Sequence, residues 1–555
     1  MFRQVFNINN LKFLVIIFWM SSSACLLYFF DKEIEFSVSL RVLIISLLFA
    51  ISFFIVFIFS PVKTRVFRIL LSLFVIIPSL LVVSGFSVTG AIMNRGDFRV
   101  FFTTDQAESM EFIEQFLDFK TVALVLGYIL PLFVLLIIKP VKPVIGRAVK
   151  NSVIALTIIL LAIVCLTNWS LVSKNYHVVG FYRSYYNFKQ AQKFDKLEAA
   201  RQNIKFEGAV VSELKIKNPK TFVVIIGESQ SRSHMQLYGY ERETNPKLSA
   251  IKDHLYVFKN VTSPATTTVE VMKHVLTLAN QRHPEFFLQK RSIVNLFNEA
   301  GYDTVWIGNQ GFKGNKYNIS HGVIANECAK SYEIAYKHDQ AVVDALGMTL
   351  RIRGNRDRIV FIHLRGSHTK YTERYTKDFA YFDHNKIPLP YGSNLSEDKK
   401  QIIDEYDNSV RFNDHIISSI IDIVRAQSEY SWVLYFSDHG EEMFEYRDMF
   451  GHQAKNFSRY MCEIPYILWV SDKYKAANSN FFANMKYYLE RPYSTEDVIH
   501  SISALSKLRY ADFEKSRSIF SADFKELPRL VNGKPYGEVQ PVHYATEKKE
   551  NHEEQ

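Results

Sequence analysis

Ser437-Asp438-His439-Gly440-Glu441 follows directly on the apolar run Trp432–Phe436. Such a run reads as a buried strand, and it delivers an aspartate and a histidine side by side where the strand stops. Both side chains can turn toward one divalent cation. Gly440 permits a sharp turn, and Glu441 can add a ligand or orient one. The chemistry such a pair supports is metal-assisted attack on a phosphate or sulfate ester. An Asp-His pair also serves as a cap or as surface decoration, so partner ligands at other strand ends decide between the readings.

Other segments offer such ends. Phe222–Ile226 is a second buried strand and runs into Gly227-Glu228-Ser229. Thr266, Thr267 and Thr268 lead into a helix expected over Val269–Leu278, which sets hydroxyls near the positive end of its dipole; capping needs only one of them. The strand Ile359–Leu364 runs into Arg365-Gly366-Ser367-His368, and the loop after Asp438-His439 holds Gly451-His452. Glu228, Thr268, Asp438 and His439 together make an oxygen-rich donor set with one imidazole. That set suits Zn²⁺, with Mn²⁺ or Mg²⁺ as the alternatives.

The elements that must position these residues begin at Thr221. Thr304–Ile307 and Tyr466–Val470 are further strands, and Ser292–Ala300 and Asp398–Gln427 are helices. Continuous apolar strands interleaved with helices predict an α/β/α domain with a largely parallel sheet covered on both faces. Sites in such domains lie beyond the carboxyl ends of the strands, where these candidates fall.

Before about residue 170 the pattern is different. Phe13–Phe30, Val42–Phe59, Ile69–Phe86, Thr121–Ile138 and Val153–Trp169 lack charge and approach the ~20 residues needed to cross hydrocarbon. Lys63, Arg65 and Arg68, then Lys139, Lys142, Arg147 and Lys150, mark the loops that stay cytoplasmic. With five spans everything after Trp169 lies on the far side, the periplasm of a Gram-negative cell. The expected division is a transmembrane domain over 1–170 and an amphipathic bridge along the membrane surface over 171–220. A catalytic domain over 221–535 and a polar tail over 536–555 complete it. The loop Asn94–Lys120 reads as an ordinary packing helix.

The 555-residue chain carries a net charge of +10, partly from those loops, and its remaining Lys and Arg are scattered. No compact basic block with interleaved aromatics points to nucleic acid. Cys25 and Cys165 fall in expected spans, leaving Cys328 and Cys462 outside. A disulfide between those two is one option that spacing does not decide.

Gly227-Glu228-Ser229 and Gly239-Tyr240-Glu241-Arg242-Glu243-Thr244-Asn245-Pro246 resemble the signature of bacterial phosphoethanolamine transferases. So do the threonine-rich segment ending in Thr268, Gly366-Ser367-His368 with Arg374-Tyr375, Tyr406-Asp407-Asn408-Ser409, and Ser437–Glu441. The five-span anchor matches as well. The resemblance implies a membrane-anchored alkaline-phosphatase/sulfatase-like enzyme in the bacterial inner membrane, acting as a monomer. It would move phosphoethanolamine from phosphatidylethanolamine to a lipopolysaccharide or lipooligosaccharide acceptor. By the same resemblance Glu228, Thr268, Asp438 and His439 hold zinc, and Thr268 is the nucleophile. His368 and His452 face the substrate phosphate or a second metal, and because imidazole titrates near working pH, His368 is the residue expected to protonate the leaving oxygen. Glu441 matches an acidic position in or beside the site, and Lys313 a lysine that contacts the headgroup.

Departures narrow the choice. Pro264 stands where many lipid A-modifying relatives have a Cys, and two cysteines outside the spans cannot make their several disulfides. That favours core heptose as acceptor, with lipid A and periplasmic glucan open. A sulfatase making formylglycine needs Cys or Ser followed by x-Pro-x-Arg, which the Thr266–Thr268 segment lacks. A phosphoglycerol transferase, or a non-catalytic membrane sensor with a degenerate hydrolase domain, are the other classes; a degenerate domain would have lost ligands, and none is missing.

Overall fold

The computed structural model describes residues 7–540 except 32–33, 60–64, 90–91, 94–97, 99–109, 111–118, 138–143, 145, 168–170, 173–175, 192–199, 202–203, 205–207, 312–318, 335–337 and 353–354. The chain forms two compact units, Met1–Ala191 and Gln192–Gln555. The packing helix expected over Asn94–Lys120, and the end of the tail from residue 541, lie almost wholly outside the described residues.

The first unit is helical: α1 (Ile8–Leu26), α2 (Phe36–Phe59), α3 (Arg65–Thr89), α4 (Phe119–Ile137), α5 (Arg147–Thr167) and α6 (His177–Ala191). A helix therefore covers most of each stretch expected to span. Among the described residues, Phe36–Ile55 and Arg147–Val164 are long and apolar enough to cross a membrane. Within α1, α3 and α4 the described side chains include the apolar stretches Ile8–Trp19, Leu73–Val88 and Thr121–Leu130. Phe13, Ile17, Ala50, Phe54 and Ile76 are buried together in one core of this unit, and Ala24, Cys25, Tyr28, Val82 and Val172 in another.

The second unit is built on a seven-stranded sheet. Its strands are β1 (Lys220–Gly227), β2 (Leu255–Phe258), β3 (Asp303–Gly308), β4 (Lys330–Glu333), β5 (Arg358–His363), β6 (Tyr430–Ser437) and β7 (Tyr466–Val470), in the order β2-β7-β6-β1-β5-β3-β4. The block β6-β1-β5-β3-β4 is parallel, while β7 runs antiparallel to both β6 and β2. The sheet is thus mixed, with a parallel centre. Alternation explains its two cores. Phe222, Val224 and Ile226 of β1, with Trp432, Leu434 and Phe436 of β6, join one core; Val223, Ile225, Val433 and Tyr435 join the other. The first core is covered by α7 (Thr268–Val275) and α8 (Ile293–Glu299), the second by α9 (Gln340–Arg351) and α10 (Glu397–Gln427). Ser292 starts α8 through a reciprocal capping box with Asn295.

β2 and β4 escape sequence pattern because they are short edge strands; β4 alternates exposed with half-buried residues and has no apolar run. Cys328 and Cys462 do not pair with each other: both are thiols. Burial pushes the Cys328 and Cys462 thiols up. Reductant is therefore expected to leave the thermal midpoint unchanged, and a shift of several degrees on adding dithiothreitol would show a bridge.

Candidate active site

The parallel centre places the site. Gly227 and Ser437 are register partners on β1 and β6, so Glu228 and Asp438 emerge next to each other at the carboxyl ends of adjacent strands. The Asp438 N–H continues the ladder by donating to the Gly227 carbonyl at 3.0 Å. On the other side of β1, β5 ends at His363 and leads into the loop holding His368. Gly366 lets that loop close down. Its φ is +52°, and a Cβ there would meet the Glu228 carbonyl oxygen at 2.6 Å. Gly440 meets the same demand beyond β6, where a Cβ would lie 2.2 Å from the Tyr460 carbonyl oxygen.

Thr268 is the first residue of α7, one position earlier than the sequence pattern predicts. Thr267 is its N-cap, but no threonine side chain caps the helix. The three hydroxyls are used differently. Thr266 Oγ1 donates to the Gln453 carbonyl at 2.8 Å, a structural bond. Thr268 Oγ1 donates to Glu228 Oε2 at 3.1 Å and lies 3.4 Å from His439 Nε2. His439 Nε2 is in turn 3.3 Å from Glu228 Oε1 and 3.5 Å from Asp438 Oδ2. The four residues expected to hold a metal therefore meet, and Glu228, Asp438 and His439 are fully buried.

Their surroundings fix which atoms face inward. Glu228 accepts from Ser229 Oγ and Gln310 Nε2, both at 2.7 Å. Asp438 Oδ1 accepts from the N–H groups of Ser229 at 3.2 Å and His439 at 2.7 Å. Its Oδ2 is buried with no hydrogen-bond partner. His439 Nδ1 is 3.0 Å from the Gly440 carbonyl. A carbonyl only accepts, so Nδ1 carries a proton in either charge state, and Nε2 is the nitrogen a metal takes once it displaces the other proton. A carboxylate oxygen with no hydrogen bond of its own and an imidazole nitrogen, converging in a buried place, fit a cation.

The charges say the same. Burial raises the Asp438 carboxyl to about 7, with repulsion from Glu228 adding to it. Burial would raise Glu228 too, but the hydrogen bond and charge of His439 hold it well below the usual range. Burial acts to lower His439; Asp438 and Glu228 outweigh it and lift the imidazole to about 10. Two buried carboxylates are thus balanced by one proton on His439, the place a divalent ion takes over.

His452 and Glu441 adjoin this group. The His452 and His439 rings are 4.0 Å apart, and His452 Nδ1 is 3.2 Å from Glu441 Oε1. Tyr371 donates to the other Glu441 oxygen. Burial raises Glu441 to about 8 and lowers both His368 and His452 to about 3. His368 feels the charges of Glu228 and His452, which places it in the same cluster. Lys313 lies outside the described residues. Sequence reasoning missed Gln310, Ser229 and Tyr371; Gln310 stands two residues after β3, and position after a strand was the signal available.

Behind the site, His234 is held between Asp407 (Nδ1 to Oδ1, 2.7 Å) and Glu445 (Nε2 to Oε1, 3.0 Å), with Arg242 on Asp407 Oδ2 at 2.8 Å. Tyr406 from the same turn of α10 donates to the Ser229 carbonyl and accepts from the Ser231 N–H, both at 2.8 Å. This network pins Ser229, whose φ is +58°. Burial acts to lower His234, but the two carboxylates raise it to about 9. Its contribution to stability is therefore full below about pH 6.5 and lost as the pH rises through about 9. His234→Ala, leaving two buried carboxylates short of a partner, is expected to cost about 3–5 kcal/mol. Thermal melts across that range check both statements; a variant as stable as wild type refutes them.

Residues 220–508 match the sulfatase family profile. The chain belongs to the sulfatase family. Within it, the chain is 34% identical over 340 residues to phosphoethanolamine transferase EptC of Escherichia coli K12, covering 59% of this chain and 58% of that protein. It is 30% identical over 279 residues to the Kdo(2)-lipid A phosphoethanolamine 7''-transferase of the same strain, covering 48% and 47%. The chain thus spans less than two thirds of the length of these curated relatives. The periplasmic domain of E. coli EptC, solved in complex with Zn, superposes with a TM-score of 0.56 at 32% identity, covering 60% of this chain and 94% of that one. The integral membrane lipooligosaccharide phosphoethanolamine transferase A of Neisseria meningitidis gives 0.68 over 92% of this chain and 98% of that one; at 18% identity that likeness is one of fold.

Proposed function

We propose that this chain is a membrane-anchored enzyme that transfers phosphoethanolamine from phosphatidylethanolamine to a lipopolysaccharide or lipooligosaccharide acceptor, with Thr268 as nucleophile. The observation that carries the reading is the convergence of Thr268 Oγ1 on Glu228 and His439. The relatives' names supply the group transferred. Glu228, Thr268, Asp438 and His439 would hold the metal, for which we favour Zn²⁺ because the related EptC domain was solved with Zn. When bound, it supplies positive charge that acidifies the threonine hydroxyl and offsets charge on the phosphoryl oxygens.

The chain's own residues supply the rest. Thr268 releases its hydroxyl proton to solvent and its Oγ attacks phosphorus; the bond from phosphorus to the diacylglycerol oxygen breaks, and phosphoethanolamine remains esterified to Thr268. His368 begins neutral because burial lowers it to about 3. The bound phosphodiester anion counters that shift, so the imidazole can take a proton and pass it to the leaving diacylglycerol oxygen. Neutral again, it accepts the proton of the acceptor hydroxyl, whose oxygen then displaces Thr268. Glu441, held by Tyr371, sets the orientation of His452 toward the phosphate. Domain boundaries near residues 170, 220 and 535, several membrane spans, and a periplasmic catalytic domain belong to this proposal.

For the acceptor we favour core heptose, on the Pro264 substitution and the unpaired cysteines. Mass spectrometry of lipooligosaccharide from cells with and without the gene tests it. Loss of phosphoethanolamine from core supports the assignment, loss from lipid A moves it, and no change in either overturns the transferase reading.

A further inference from the structure

Asp339 stands immediately before α9 and is 5% exposed. An aspartate in that place ordinarily turns its carboxylate back onto the first N–H groups of its own helix. Here the side chain caps nothing, and the Asp339 backbone carbonyl alone accepts from the Val342 and Val343 N–H groups, at 3.0 and 3.4 Å. The carboxylate serves two other loops instead. Its Oδ1 accepts from Asn309 Nδ2 at 2.8 Å and from the Arg365 N–H at 3.0 Å, and its Oδ2 accepts from the Gly366 N–H at 2.8 Å. Asn309 is the first residue after β3, and its own N–H donates to the His363 carbonyl of β5 at 2.9 Å. The amide that steadies Asp339 is thus tied to the sheet.

The backbone donors of the turn after β5 can now be counted. Arg365 and Gly366 donate to Asp339, Ser367 donates to the Glu228 carbonyl at 2.9 Å, and His368 donates to the Arg365 carbonyl at 3.3 Å. Two of the four therefore rest on one side chain. Gly366 and Ser367 are buried, so these groups have no water to turn to. Gly366, at φ +52°, is also the most permissive link in the turn. The carboxylate pins the link that would otherwise hinge, two residues before His368.

We propose that Asp339 is a positioning residue: it holds the Arg365–Ser367 turn against Glu228 so that His368 stands where it protonates the leaving oxygen. The inference rests on the transfer reading above and adds to it the residue through which the fold aims the acid. Proton transfer needs the imidazole within hydrogen-bond reach of that oxygen, and a misplacement of about 1 Å costs about 10²-fold.

The test compares two donors on the full-length protein in nanodiscs. Phosphatidylethanolamine must have its leaving oxygen protonated. p-Nitrophenyl phosphoethanolamine releases a stable phenolate and needs no proton, so it reads Thr268 and the metal without the acid. Asp339→Asn keeps the size of the side chain but turns an amide donor toward an N–H group that had an acceptor. It should lower kcat with the lipid by about 10²-fold, and the ratio of lipid to nitrophenyl kcat by at least about tenfold. Asn309→Ala, which removes the amide that steadies Oδ1, should lower the same ratio by about threefold. In a His368→Ala background, Asp339→Asn should slow lipid turnover by less than about twofold further, since the group it acts through is gone. A side chain that only supports the fold would lower both donors in proportion. A ratio unchanged in both variants, or a full additional loss in the His368→Ala background, overturns the inference alone. If Asp339→Asn does not fold, the ratio in Asn309→Ala decides. Wild-type protein that turns over neither donor removes the transfer reading and this inference with it.

Discussion

Thr268→Ala is expected to abolish transfer, lowering kcat/KM by on the order of 10⁴-fold or more, the scale of losing a catalytic nucleophile. The fold should not notice. The Thr268 side chain is partly exposed, and its hydroxyl meets Glu228, His439 and Asp438, all of the site itself. Glu228 Oε2 keeps its bond from Gln310 when that hydroxyl goes, so the change should stay within about 1 kcal/mol. The neighbouring threonines make internal controls. Thr267 caps no backbone group with its side chain, so Thr267→Ala should leave activity near wild type. Thr266 bonds Gln453 and accepts from Asn532, so Thr266→Ala should cost about 1 kcal/mol of stability before it costs chemistry. Thr268→Ser keeps a hydroxyl and should keep measurable turnover. Fluorescent phosphatidylethanolamine turnover, thermal melts and the mass of the Thr268 peptide after donor alone read all four variants. Full transfer by Thr268→Ala would remove the nucleophile assignment, whatever the other variants do.

The central strands of the second unit were legible because they are buried on both faces and so read as continuous apolar runs: Phe222–Ile226, Ile359–Leu364 and Trp432–Phe436 each fall on an observed strand. Their ends located Glu228, Asp438 and His368. What pattern could not give was which strands lie side by side, and the site depends on β6 and β5 flanking β1. The edge strands stayed hidden, since half-exposed polar alternation looks like loop. Thr268 was singled out among the three threonines by resemblance, because pattern alone cannot say which hydroxyl a helix start turns toward Glu228. Gln310 offers only its place after a strand, which does not reveal that it supports Glu228 across the sheet. The motif residues Arg242 and Asp407, quoted as resemblance, acquire a physical reason only once both are seen on the network that clamps His234.

Removing the metal with a chelator is expected to lower transfer by at least about 10³-fold and to be reversed by Zn²⁺, since both the acidity of Thr268 and the charge balance depend on a cation. The same ligands predict how the metal-free protein responds to pH. His439 has its folded pKa raised to about 10, so the stability it contributes is full below about pH 6.5 and is lost as the pH rises through about 10. Asp438, raised to about 7, binds its proton more tightly folded than unfolded, so stability also falls from about pH 4 to about 7. Glu228 is held low, and its contribution is lost only in acid. Across neutral pH the metal-free protein should therefore melt at progressively lower temperature. Metal binding runs the other way: the ligands must be deprotonated, so affinity rises with pH and the bound ion stabilises by mass action. The gap between metal-loaded and metal-free midpoints should widen from about pH 6 to about pH 9. His439→Ala should close that gap by removing a ligand and the raised proton together. A gap that stays constant across the range, or that survives His439→Ala, would place the metal elsewhere.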